Sequence, residues 1–334
     1  MKFFVIGLGS MGTRRIRNLV ALGYSDITGF DIQQNRMKNV KRKYGIKICS
    51  NPLEIINQNP DLIIISTSPN AHLRYVKMAT KKRIPFFTEV NTNAKDIEQI
   101  IKLGKKYRIN GISSMTMKFH PAVKKIKQIL ENKKMGEVYF LTYHSGENLE
   151  DWHPWERIQD YYVGDIKTGG GRDQAVFELE WIFWLFGMPK NITADVRKLS
   201  KISAKINDTY QMSFSLKNIP MAQVLVDVIQ RPPNRILRIV CEKGIIIWDW
   251  VDGKVRVFNS KTNHWQEIFH GEGYKGFNVE EMYQEEIKNT IRSIKEKKNY
   301  VSSFETELST VKAVILAEKS SKLKKTIKFK NQFF

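Results

Sequence analysis

Apolar residues first appear as a short block, Phe3–Ile6, bounded by Lys2 and Gly7, which predicts a short buried strand. Helical spacing follows from about Met11 to Leu22, with Ile16, Leu19 and Val20 on one face. Asp26–Asp31 reads as a second strand and Lys38–Tyr44 as a short basic helix. Asn51–Gln58 reads as another helix, opened by an Asn51 cap and a first-turn proline. Leu62–Ser66 is continuously apolar to Ile65, as in a strand of a parallel sheet covered on both faces. A helix over Ala71–Lys81, a strand over Pro85–Thr88, a helix over Lys95–Tyr107 and a strand near Gly111–Met115 continue the alternation. This succession predicts an α/β, doubly wound parallel sheet over residues 1–120.

The pattern changes after His120-Pro121. A helix over Ala122–Asn132 leads to a strand over Val138–Tyr143, a loop rich in tryptophan and charge, and the turn Gly169–Gly171. A hydrophobic helix then ends at Gly187. In Tyr210–Lys217, apolar Tyr210, Met212, Phe214 and Leu216 alternate with polar residues, predicting a strand with one buried face. Met221–Gln230, Arg235–Cys241, Ile245–Trp250 and Lys254–Phe258 extend a mostly antiparallel sheet. Two helices close the chain, the first capped by Asn278 with Val279, Met282, Tyr283, Ile287 and Ile291 inward, the second over roughly Phe304–Lys322. Residues 121–334 are expected to form the second domain, an α/β unit with a large open sheet that also carries homo-oligomer contacts.

Composition narrows the function. No apolar run approaches the ~20 residues of a membrane span, so no membrane partner is expected. The strand at the N-terminus leaves no room for a signal peptide of ~15–30 residues, and a reducing, cytoplasmic setting is expected. Only Cys49 and Cys241 are present, so neither a disulfide framework nor a cysteine-only zinc site is available, and no metal is expected. The net charge is +21, from 55 Lys and Arg against 34 Asp and Glu. Solvated helix faces, an anionic small ligand, or a nucleic acid would each account for it. Dispersal over both halves speaks against nucleic acid. Lys319–Lys330 is the densest basic stretch and reads as a candidate frayed tail.

The strongest chemical signal is Gly7-Leu8-Gly9-Ser10-Met11-Gly12, placed between a predicted strand and a predicted helix. Gly7 permits the tight turn, Gly9 a close approach of pyrophosphate, and Gly12 helix–sheet packing. Free N–H groups at the helix start attract phosphate. Asp31 lies 19 residues beyond Gly12, where an acid accepts the adenosine ribose hydroxyls. Ile32, Gln33 and Gln34 follow it without an arginine, and Arg36 reads as a solvated helix residue, so NAD is expected rather than NADP. Thr67, Ser68 and Asn70, beyond a buried strand, are candidates for the nicotinamide ribose, and an ordinary capped turn remains the alternative.

These features together resemble the Gfo/Idh/MocA family (glucose–fructose oxidoreductase, inositol dehydrogenase, MocA). The resemblance is carried by the glycine motif with Asp31, by Ile64–His72, by Lys118–Val123, and by the triple glycine with Trp184–Gly187. It implies a Rossmann domain, a second α/β domain, and hydride transfer between a nicotinamide cofactor and a secondary hydroxyl of a sugar. The chain departs from the family at the chemistry. Glu89-Val90-Asn91 stands where most members carry Glu-Lys-Pro, and Phe177 where most carry a histidine. Neither Val90 nor Phe177 can move a proton. Asp151–Glu156, Gly170–Asp173 and Phe177–Leu179 resemble a distinct branch similar to proteins found among genes for nonulosonic acids and other surface glycans.

Substitute catalytic groups are His153 first, then Lys118, with Asp173 orienting the histidine or holding a hydroxyl. Each has an ordinary structural alternative. Trp152 and Trp155 are candidates to stack on a sugar, Arg172 and Glu178 to bind it, and Glu89 to order the cofactor loop. The expected activity is an NAD-dependent dehydrogenation of a sugar or nucleotide sugar, in a pocket near Ser68, Lys118, His153, Arg172 and Asp173. The alternative is a catalytically silent NAD- and sugar-binding protein.

Overall fold

A computed structural model describes residues 1–109, 111–271, 280–297 and 303–330. The chain begins β1 (Phe3–Ile6), α1 (Ser10–Ala21), β2 (Ile27–Phe30), α2 (Gln34–Tyr44), β3 (Lys47–Ile48), α3 (Pro52–Ile56) and β4 (Leu62–Ile65). It continues α4 (Pro69–Lys81), β5 (Phe86–Thr88), α5 (Ala94–Tyr107), β6 (Gly111–Ser113), α6 (Pro121–Glu131), β7 (Val138–Asn148) and α7 (Gly171–Phe186). Then come β8 (Pro189–Arg197), β9 (Thr209–Leu216), β10 (Met221–Asp227), β11 (Ile229–Cys241), β12 (Gly244–Asp249), β13 (Lys254–Asn259) and β14 (His264–His270). Helices α8 (Glu280–Glu296) and α9 (Phe304–Leu323) and strand β15 (Ile327–Lys328) complete it.

The residues form two compact units, Met1–Thr116 with Glu280–Leu308, and Met117–Val279 with Ser309–Phe334. This differs from a cut at residue 120 with everything beyond it in the second domain. The reason is the apolar face of α8. Ile287 and Ile291 pack into the cluster of Phe3, Leu19 and Ile27. Buried Arg15 also pairs with Glu286 at 2.8 Å. The expected Asn278 cap and Val279 lie outside the described residues.

In the first unit six parallel strands lie in the order β3-β2-β1-β4-β5-β6. β1 pairs with β2 and β4 in the middle of the sheet, and every residue of these three strands is buried. Strands covered on both faces need the unbroken apolar runs that Phe3–Ile6 and Leu62–Ile65 supply.

The second unit has a nine-stranded sheet, β14-β13-β12-β11-β7-β10-β9-β8-β15. It is antiparallel except for the central pair β7–β10, which runs parallel. The residues expected as one strand, Met221–Gln230, divide between β10 and β11. The basic C-terminus is not a frayed tail: α9 reaches Leu323, β15 pairs with β8, and Phe329 is buried.

Candidate functional site

The glycine turn links β1 to α1. Gly7 has φ +88°, and a Cβ there would lie 2.5 Å from the Ser66 carbonyl oxygen. A Cβ on Gly12 would lie 1.8 Å from the Gly7 carbonyl oxygen, so no larger residue fits while α1 keeps its place. Gly9 has no backbone neighbour within 4 Å of its Cβ position, where the turn faces outward. Ser10 and Met11 open the helix, exposed and half-buried respectively. The buried Asp31 follows β2. Its Oδ2 accepts the Leu8 N–H at 2.7 Å and its Oδ1 accepts the Gln33 N–H at 2.8 Å. Each carboxylate oxygen keeps a second lone pair for a ribose hydroxyl. The cradle and the acid therefore fit an adenine dinucleotide.

Arg36 departs from the solvated role expected of it. Its Nη1 lies 3.8 Å from Asp31 Oδ2 and 3.6 Å from the Gly9 Cβ position, because α2 begins four residues earlier than expected and turns Arg36 back over the cradle.

Glu89 orders the loops at the ends of the strands. Arg15 donates from Nε and Nη2 to its two carboxylate oxygens, both at 2.8 Å, and Ser66 donates to Oε1 at 2.9 Å. Arg15 is fully buried, and its pKa is raised by Glu89 and Glu286 although burial alone opposes its charge. Ser68 occupies the N-cap position of α4 without a side-chain capping bond, Thr67 Oγ1 donates to the Ser68 carbonyl at 3.3 Å, and Asn70 lies exposed in the first turn.

In the second unit Asp173 sits in the first turn of α7, after the Gly169–Gly171 turn. Tyr162 donates to its Oδ2 at 3.2 Å. Burial, with Glu147 nearby, pushes the Asp173 carboxyl up to about 7 despite the Tyr162 bond. Glu147 is likewise raised, chiefly by burial. Glu147, Tyr143 and Ser145 alternate along β7 and share the face toward α7. The Trp-rich loop adjoins Asp173 through its aromatic residues. His153 lies between Trp155 and Tyr161, with ring centroids at 5.2 and 4.8 Å, and Tyr161 meets Tyr162 edge-on at 6.0 Å. His153 Nδ1 also faces Glu156 Oε2 at 3.2 Å. Trp155 is 76% exposed, whereas Trp152 packs on the apolar cluster of Leu149, Ile158 and Val163. His153 and Asp173 thus belong to one aromatic–acid cluster.

The other expected residues are engaged elsewhere. Glu178 is not available to a substrate. It is fully buried and accepts from Ser145, Gln174 and Arg235 at Oε1 and from Tyr143 and Trp181 at Oε2, at 2.6–3.0 Å. Five donors saturate a carboxylate. Arg172 forks onto Glu318 and donates to the Lys167 carbonyl at 3.1 Å, so it ties the glycine turn to α9. Lys118 is buried, 5.3 Å from the Trp184 ring, with Glu180 raising and burial lowering its pKa to about 8. Glu180 lies seven residues after Asp173 on α7, about 10 Å along the helix. Lys118 therefore does not join Asp173 at one reacting atom.

Glu147, Tyr162 and Arg235 were missed by sequence reasoning. Arg235 stands opposite Ser145 across β7–β11, donates to Glu178 and faces Glu147 at 3.6 Å. The available signal was a polar run, His144–Asn148, continuing a predicted strand.

Residues 1–109 match an oxidoreductase family with an NAD-binding Rossmann fold, and residues 123–247 match the GFO/IDH/MocA C-terminal domain. Over 194 residues the chain is 26% identical to myo-inositol 2-dehydrogenase of Thermotoga maritima, covering 56% of this chain and 55% of that protein. Over 190 residues it is 24% identical to the uncharacterized oxidoreductase YrbE of Bacillus subtilis, covering 55% and 53%. The chain spans about half the length of the curated relatives it matches. In fold it is similar to an Agrobacterium radiobacter oxidoreductase solved with NAD+, L-tartaric acid and magnesium, with TM-score 0.86, 16% identity and 98% of both chains covered. A levoglucosan dehydrogenase solved with NADH gives TM-score 0.87, 12% identity and 99% of both chains.

Proposed function

Because the chain belongs to the GFO/IDH/MocA family of NAD-binding oxidoreductases, we propose that it is an NAD-dependent dehydrogenase of a secondary hydroxyl on a sugar or nucleotide sugar. The observation that carries this reading is the dinucleotide cradle of the first unit, closed by doubly anchored Asp31; the second unit adds an acid–aromatic cluster around Asp173. Myo-inositol and levoglucosan dehydrogenases among the similar proteins support a polyhydroxylated substrate. Production or modification of a surface glycan such as a nonulosonic acid is the pathway class we propose, in a cytoplasmic homo-oligomer joined through the second unit's sheet.

Bound NAD supplies the hydride acceptor. Gly7–Gly12 and the first turn of α1 hold its pyrophosphate, Asp31 its adenosine ribose, and Thr67 and Ser68 the other ribose. Glu89, fixed by Arg15, keeps the β4 and β5 loops in place. Asp173 takes the hydroxyl proton. A carboxyl near 7 is half ionised at neutral pH, close to the optimum for a general base. Tyr162 aims it, and burial, with Glu147 nearby, keeps its affinity for the proton high. Trp155, 76% exposed, offers a face for the apolar side of a sugar ring. Asp173 thereby replaces His153 as the proposed acceptor, since the imidazole is sandwiched and turned to Glu156.

A second reading, a silent NAD- and sugar-binding protein, is favoured by Val90 and Phe177, which leave both usual proton-transfer positions without an ionisable atom. Incubation with NAD and a panel of polyols, sugars and nucleotide sugars, followed at 340 nm, separates the two. NADH formation supports the dehydrogenase, whereas binding of NAD and a sugar without turnover of any panel member supports the silent protein.

A further inference from the structure

The residue that replaces the resemblance's expected proline, Asn91, sits in a buried chain of polar groups within the first unit. Its backbone N–H donates to Glu307 Oε1 at 2.8 Å, a bond that proline could not make. Its Nδ2 faces Glu307 Oε1 and Oε2 at 3.1 and 3.0 Å, Thr88 Oγ1 at 3.1 Å and the Glu89 carbonyl at 3.3 Å. Its Oδ1 faces His72 Nδ1 at 2.8 Å, and His72 Nε2 faces the Thr67 carbonyl at 2.9 Å. His72, Asn91 and Glu307 are at most 1% exposed.

A donor count assigns the proton. Both ring nitrogens of His72 meet acceptors, but neutral imidazole has one N–H. Glu307 meets donors from the Asn91 backbone N–H and side-chain amide, which an ionised carboxylate satisfies. The opposite arrangement would put the proton on Glu307, flip the Asn91 amide and leave His72 neutral. It would also set Asn91 Oδ1 against the Glu89 carbonyl. Burial lowers the pKa of the His72 ring, while its bonds to Asn91 and the Thr67 carbonyl, and after them the charges of Glu89 and Asp96, favour the cation; Lys77 faces Asp96. Burial raises Glu307 to about 7 and lowers His72, so the two groups compete for one proton, and the donor count places it on the ring.

We propose that His72, Asn91 and Glu307 form a one-proton bridge, imidazolium–amide–carboxylate, which clamps the Thr67 carbonyl and the Glu89–Asn91 loop and so couples NAD binding to pH. The coupling rests on the reading of Thr67 and Ser68 as ribose contacts. Loss of the proton with rising pH removes one of the two His72 bonds, which loosens the loop after β4. His72 and Glu307 are positioning residues here, and neither touches the cofactor.

The test begins on the wild-type full chain labelled with 15N-histidine. The His72 signals are identified by their loss in His72→Gln or, if that variant does not fold, by through-space contacts to Thr67 and Asn91. At pH 6.5 the bridge requires both ring nitrogens to carry protons. A bare Nδ1 at that pH overturns it. NADH affinity is then read by fluorescence from pH 6.5 to 9. Wild type should weaken about fivefold, the size of one lost hydrogen bond. Glu307→Gln should already be weaker at pH 6.5 and nearly flat with pH. A flat wild-type curve overturns the coupling. Absence of NADH binding at every pH overturns the cofactor reading, and the ring-nitrogen pattern then judges the bridge alone.

Discussion

Asp31 and Asp173 are carboxylates at the start or end of regular elements, each in a candidate binding site, yet they are built differently. Asp31 is held by two backbone N–H groups, from Leu8 and Gln33, beside a turn that only glycine can make. Asp173 is held by a tyrosine hydroxyl, and its affinity for a proton depends on burial and on Glu147 from a strand 26 residues earlier in sequence. A site held by backbone groups around a glycine turn is legible in a short motif. A site made of distant side chains acquires a reactive acid that no motif announces.

The largest effect that separates the two regions falls on turnover. Asp173→Asn should lower kcat by about 10²–10⁴-fold, the usual worth of a positioned general base, and leave the NADH Kd unchanged. Equal losses in both parameters would show that Asp173 supports the fold instead. Removing one partner of the buried Arg235–Glu178 pair comes next. Arg235→Met leaves the buried Glu178 without its cation and should cost roughly 3–5 kcal/mol, read by urea unfolding. An unfolding midpoint equal to wild type would show that the remaining four donors suffice.

Gly12→Ala strikes only the cradle. Its Cβ would press on the Gly7 carbonyl, and crowding of that kind costs about 1–3 kcal/mol. NADH should bind about tenfold to a hundredfold more weakly, with sugar binding unaffected. Calorimetric titration with NADH, and separately with any identified sugar, checks both halves of that statement. The smallest expected effect is Trp155→Ala. Loss of an exposed stacking face, worth ~0.5–1.5 kcal/mol, should raise KM by about 2–10-fold at constant kcat.

The same contrast explains what could be read in the sequence. β1, β4 and the glycine turn follow from unbroken apolar runs and one motif. In β9 the alternation of Tyr210, Met212, Phe214 and Leu216 predicted its buried face correctly. β7 was expected to stop at Tyr143 because His144–Asn148 is polar. Buried partners for Ser145 and Glu147 lie on α7 and β11, which local reading cannot see. β14 escaped notice because it is an edge strand with no fully buried residue. Nothing local marks Arg15 of α1 as buried, because its partners, Glu89 and Glu286, are 74 and 271 positions away. Glu178 shows the converse error: an acid leading into a hydrophobic helical run looks like a site residue until its five donors are known.

The most direct test is the pH dependence of kcat/KM for sugar oxidation, followed as NADH absorbance. Asp173 must be ionised to accept the proton, and burial has raised its pKa, so activity is low below that pKa and rises as pH increases through it. Wild type should show an ascending limb centred at about 7 that is missing from the residual activity of Asp173→Asn. The same ascending limb in both proteins would contradict Asp173 as the proton acceptor.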